Sequence, residues 1–167
     1  LMFDSAQLAQ FFIDFPKPLA VILIAMLPFV ELRGAIPVAL FVYGMDPISA
    51  FAYGILGNMI PVFALLYFLE PVSNFLRRWH IWDMFFTWLF DKAHKQHSDS
   101  FERYGMLALA IFVAVPIPTT GAWSGCAGAF VFGIKFKHAL FAIFAGVVGA
   151  GILVTIVSLG GIEVLGL

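Results

Sequence analysis

The chain has 167 residues, 62% of them hydrophobic and only 11% charged, with a mean hydropathy of +1.00, whereas soluble domains carry about 25% charged residues. That excludes a water-soluble globule. Nine Lys and Arg against ten Asp and Glu give a net charge of −1, so no basic excess exists to neutralise a nucleic-acid backbone, and nucleic acid is excluded as a partner. Cys126 is the one cysteine, which rules out an internal disulfide and leaves a metal site without companions. The chain opens on Leu1 rather than Met, and no basic-then-apolar leader precedes the first hydrophobic run; its N-terminus is treated as open.

Taken in chain order, Asp4 to Phe15 reads as an amphipathic stretch at the membrane surface. Leu19 to Val30 is apolar for 12 residues, roughly 18 Å of helix, which is too short to cross a hydrocarbon core of about 30 Å. It is followed by ELRGAIP, Glu31 to Pro37, and by the apolar run Val38 to Tyr43. The spacing predicts a re-entrant hairpin broken at ELRGAIP, the alternative being a kinked spanning helix. Pro47 to Leu69 carries no Asp, Glu, Lys, Arg or His and predicts a full transmembrane helix, kinked rather than ended at Pro61. From Trp79 to His97 the residues Asp83, Thr87, Asp91 and Lys95 recur every fourth position opposite Trp82, Phe86, Leu89 and Phe90. That pattern predicts an amphipathic helix in the headgroup layer, anchored by Trp79, Trp82 and Trp88. Met106 to Val115 and Gly121 to Phe132 form a second pair of short apolar arms around Pro116 to Gly121, and Ala139 to Ile162 is a second uncharged span.

An internal repeat favours hairpins over kinked spans. Gly44 and Gly57 lie 13 positions apart with Ala50 six after the first, and Gly133, Gly146 and Ala139 repeat that spacing. A hairpin plus one helix crosses the membrane once, so the second copy starts from the opposite side, which is an inverted repeat. Charge agrees. With hairpins, Arg77, Arg78, Lys92, Lys95, Arg103, Lys135 and Lys137 share one face and Lys17 stands on the other. The positive-inside rule then puts the central linker in the cytoplasm and both termini outside. The expected fold is therefore an all-α integral membrane protein of one domain: repeat A over about 18–70, a cytoplasmic or interfacial linker over 71–104, and repeat B over about 105–165.

Glu31 and Arg33 are the ionisable residues inside a predicted membrane segment, where an Arg costs about 2.5–3.5 kcal/mol on insertion scales. They are read either as a structural ion pair or as a site at the midplane, with Arg33 gripping an anion through its guanidinium fork and Glu31 orienting it or exchanging a proton. The facing tip, Pro118 to Ser124, offers hydroxyls ahead of a helix start, with Thr119 or Thr120 as the expected N-cap. Arg33, Gly34, Thr119, Thr120, Gly121, Ser124 and Asn58 are the candidate substrate-binding residues and Glu31 the proton-coupling one. Simple capping and close helix packing are the competing explanation for the second tip. His94 and His97 lack a third ligand, His80 and His138 are isolated, and Ser124 and Cys126 have no histidine at membrane depth, so neither a metal site nor an enzyme is expected. No cofactor is expected beyond a coupling ion, H+ or Na+. Ala142, Gly146 and Ala150, and Ala50 with Gly54, form small-residue faces that either seat the hairpins or join two protomers.

At ELRGAIP, Glu31 to Pro37, and PIPTTGAWSG, Pro116 to Gly125, the chain resembles the small multidrug export family of short prokaryotic membrane proteins, over nearly its whole length. Its architecture is also similar, more distantly, to the DedA (VTT-domain) superfamily, which implies paired re-entrant hairpins and carriers of polyprenyl-phosphate and other lipids; the second tip here lacks an arginine. The expected function is a small secondary transporter or lipid-phosphate carrier of the prokaryotic inner membrane, moving an anionic substrate between the two hairpin tips. The alternatives are proton-coupled export of cationic drugs and a non-transporting membrane assembly or remodelling protein. Expected partners are membrane lipids, the small-molecule or lipid-phosphate substrate, and a second copy in a homodimer.

Overall fold

The computed structural model describes residues 15–76, 99–115 and 121–165. All regular elements among them are helices: α1 Lys17–Met26, α2 Glu31–Pro37, a π-helical turn Val38–Val42, α3 Pro47–Leu76, α4 Asp99–Ala114, α5 Ala122–Val131 and α6 Phe136–Leu165. The expected surface helices, Asp4 to Phe15 and Trp79 to His97, lie outside the described residues except for Phe15.

Each boundary has a local cause. α1 ends because Leu27 precedes Pro28 and is pushed out of the helical region, to φ −71° and ψ 132°. The break therefore falls at Leu27–Val30, and the expectation of a break at ELRGAIP is corrected: Glu31–Pro37 is itself helical. Pro37 lacks an N–H, yet the helix does not stop there. It slips into the wider π register, with Tyr43 N–H donating to Val38 O at 3.1 Å, and ends before Gly44, whose φ of +60° suits a residue without a Cβ. α5 ends the same way at Gly133, φ +64°. There Gly133 N–H donates to Phe130 O and Ile134 N–H to Ala129 O, at 3.1 and 2.9 Å, a Schellman closure. α3 starts on Asp46, whose Oδ1 accepts from Ser49 N–H at 2.9 Å, with Pro47 at the first helical position. It then runs unbroken through Pro61.

Pro47–Leu69 in α3 and Phe136–Gly160 in α6 are long and apolar enough to cross a membrane. They run antiparallel. Phe63 stacks edge-on against Phe136 with ring centroids 5.6 Å apart, while Phe51 lies against Gly151, where an added methyl would sit 2.9 Å from its ring. α4 runs parallel to α6, since Gly105 faces Ile134, Gly146 faces Ala110 and Val113, and Gly149 faces Ala114. In the first half, Lys17 Nζ at the start of α1 donates to Tyr43 O at 2.6 Å, so the chain leaves and returns at one level.

Two clusters form the interior. Ala20, Val21, Ile24 and Ala25 of α1 pack on Ala35, Val38 and Ala39, with Tyr43 and Ala50 closing the end. Leu32 and Ile36 of α2 join Val62, Val113, Cys126, Ile143 and Val147 in the second, which ties the halves together. The small-residue faces seat the short helices: Gly57 abuts Ile22 and Ala25 of α1, and Gly146 abuts α4. Outward-facing residues are large and apolar, such as Ile48, Phe141 and Val157, an arrangement that lipid tolerates and water does not.

Candidate functional site

Glu31 opens α2 with φ +51°, the one non-glycine residue with positive φ among those described. A side chain in this region costs about 1–2 kcal/mol, and such strain is held only where surrounding contacts fix it. Here the contact is the other half of the molecule. The carboxylate, on a residue only 6% exposed, reaches the N-terminus of α5, where Oε1 accepts from Trp123 N–H at 3.4 Å. Gly121 makes room for it, because a methyl group there would collide with the carboxylate. The first amides of a helix lack intrahelical acceptors and carry partial positive charge. Glu31 supplies the negative charge that α5 does not carry in its own first turn.

The sequence-derived candidates divide around this contact. Arg33 lies one residue beyond Leu32 on α2, half-buried, and its Nη2 donates to Val115 O at the end of α4, 3.4 Å away. Its charge also acts on the Glu31 carboxylate. Asn58, in mid-α3, is 1% exposed and stands beside that carboxylate; neither Nδ2 nor Oδ1 closes a hydrogen bond of good geometry. Trp123 Nε1 is likewise buried without a hydrogen-bond partner among the described residues.

Three expected donors are turned to local use. Gly34 N–H donates to Val30 O at 3.1 Å and so serves the helix rather than a ligand. Gly121 N–H donates to Ser124 Oγ at 2.9 Å, and that hydroxyl donates back to Gly121 O at 3.2 Å. Gly121, not Thr119 or Thr120, therefore occupies the N-cap of α5. Thr119 and Thr120 lie outside the described residues. The bland explanation, capping, accounts for Ser124; the structure brings Glu31, Asn58 and the α5 amides together, with Arg33 at their edge.

Sequence reasoning missed two contacts. The Cys126 thiol donates to Val62 O at 3.9 Å, linking α5 to α3, and nothing in the sequence marks that pair. Asp46 caps α3, and Asp-Pro ahead of an apolar run was the available signal.

The family described as "putative small multi-drug export protein" matches residues 31–153, from Glu31 through most of α6. The chain belongs to this family. The match begins at the carboxylate that joins the halves and takes in every candidate site residue. No curated protein and no solved structure matches the chain. Family membership and the two membrane-length helices make it a helical membrane protein of the small multidrug export type.

Proposed function

We propose that the protein is a proton-coupled exporter in which two re-entrant hairpins, α1–α2 and α4–α5, enter the membrane from opposite sides as an inverted repeat and meet at Glu31. The antiparallel course of α3 and α6, the return of the first hairpin from Lys17 to Tyr43, and the equivalent seating of Gly57 and Gly146 support that architecture. The positive charge gathered on the linker side orients the linker to the cytoplasm, with both termini outside.

One observation carries the functional reading: a strained, buried carboxylate of one half holds the helix N-terminus of the other. Ionised, Glu31 is attracted by the α5 amides, an effect worth up to about 2 kcal/mol in partly buried geometry. Protonation removes it, which shifts the balance between joined and parted halves by about thirtyfold. A proton thereby changes the conformational equilibrium through a difference in contact, as coupling requires. The substrate we propose is a lipophilic cation; the export role in the family description and the local use of the Gly34, Gly121 and Ser124 donors support that reading. A second reading, carriage of an anionic or lipid-phosphate group, rests on the half-buried Arg33 guanidinium at the edge of the site.

The test is transport in proteoliposomes of a lipophilic phosphonium cation and of a polyprenyl phosphate, with and without a pH gradient. Cation movement driven by the gradient, lost in Glu31→Gln and retained in Arg33→Gln, is the expected result. Phosphate movement abolished by Arg33→Gln would establish the second reading. A folded Glu31→Gln protein that still couples transport to the gradient overturns the role of Glu31 in both.

A further inference from the structure

Between α3 and α6 runs an open groove of about 630 Å³, within the range of about 300–1,000 Å³ that takes drug-sized ligands. Ile55 and Met59 of α3 form one wall, and Leu140, Phe141 and Phe144 of α6 the other. Both helices are of membrane length, and the lining residues Leu56, Phe141 and Phe144 are exposed, so in a bilayer the groove would open toward hydrocarbon. Its one charged lining residue, Lys137, stands in the first turn of α6. That turn contains no acidic residue, and Lys137 has no ion-pair partner among the described residues. An ammonium and the positive end of a helix therefore coincide at one end of an apolar trough, an arrangement that an anion relieves. The matching position in the other half, one residue past Pro47, is Ile48, so this charge belongs to one leaflet only.

We propose that the groove is a binding site for an anionic phospholipid, with one acyl chain between Met59 and Phe144 and the headgroup phosphate on Lys137. The occupant is a lipid rather than a second copy of the chain because the trough is apolar along its length and ends in a cation, without an ion-pair partner among the described residues, at the first turn of a spanning helix. Phosphatidylglycerol has the complementary form, an acidic head on a hydrocarbon tail. The site is independent of proton coupling at Glu31 and stands if that reading fails.

The test is native mass spectrometry of the full chain extracted from vesicles of equal parts phosphatidylglycerol and phosphatidylcholine with identical acyl chains. Wild type is expected to retain phosphatidylglycerol about fivefold over phosphatidylcholine, the factor expected for one lysine near an anionic surface. Lys137→Gln should abolish the preference and Lys137→Arg keep it, which separates charge from damage to the fold. Ala52→Phe, which adds bulk at a lining position of the groove, should lower retention of both lipids. Equal retention by wild type, or an unchanged preference in Lys137→Gln, overturns the proposal. So does a lipid-free dimer that Ala52→Phe converts to monomer, because the occupant is then protein.

Discussion

In the first half, Ile36 of α2 fills the notch left by Gly54 of α3; at the matching positions of the second half the sizes are exchanged, and Gly125 of α5 lies against Ile143 of α6. The tips differ more sharply. One carries Glu31 and Arg33, the other the uncharged turn from Gly121 to Ser124. Even the starts of the two long helices differ: Asp46 caps α3, and Lys135 stands at the equivalent point before α6. What the halves keep in common is backbone geometry. Gly44 and Gly133 turn the chain with positive φ, and Gly57 and Gly146 let a short helix approach until its carbonyl oxygens touch the long one. Backbone approach is the constraint both halves share, while side-chain volume can be traded across a contact and charge placed where one half needs it.

The strictest test of that view is at the paired glycines. A methyl on Gly57 would strike Ile22 O and sit 2.8 Å from Ala25 Cβ, and on Gly146 it would lie 2.7 Å from Ala110 O. Backbone cannot swing aside as a side-chain end can, so Gly57→Ala and Gly146→Ala should each cost about 3 kcal/mol, the upper part of the usual overpacking range. Unfolding titrations in detergent micelles measure this. Equal losses support the equivalence of the two seats, and a silent Gly146→Ala breaks it.

Next in size are Ile36→Ala and Ile143→Ala, both at fully buried positions. Each should cost about 2 kcal/mol, near the lower end for such truncations, because the surrounding lipid is itself apolar and the loss is mainly of packing. The same titrations distinguish a shared loss from an unequal one. If only one of the two matters, the exchanged notches are not equivalent contacts.

The spans were legible because they depend on composition alone: Pro47–Leu69 and Ala139–Ile162 lie inside α3 and α6. The glycine spacing was legible too, and each marked glycine sits at a turn or a close approach. The first break was misplaced because Gly34 and Pro37 look like breakers. Gly34 stays helical under Val30, and the π-helical slip absorbs Pro37, whereas Leu27 ahead of Pro28 ends the helix by a steric rule two residues wide. The occupant of the α5 N-terminus was hidden for another reason. Its acceptor is Glu31, 92 positions away in sequence, and a hydroxyl-rich turn beside a helix start does not reveal that a distant carboxylate fills the seat.

The smallest expected effect concerns the two helix starts, and pH separates them. Hydrogen bonds from Ser49 hold the Asp46 carboxyl below its usual range. A group whose pKa is lowered on folding adds stability that is fully present above its unfolded pKa and disappears as pH falls through the folded one. The cap on α3 should therefore weaken in acid. Asn caps about as well as Asp but has no proton to gain, so Asp46→Asn should match wild type at neutral pH and lose less stability than wild type below the carboxylate range. Asp46→Ala should be the weaker protein at neutral pH, with the gap narrowing in acid as the wild-type carboxylate is neutralised. Thermal unfolding in one detergent at neutral and acid pH reads all three. If Asp46→Asn instead follows the wild-type acid loss, the pH dependence arises elsewhere, and the charge difference between the two helix starts has no bearing on how firmly α3 begins.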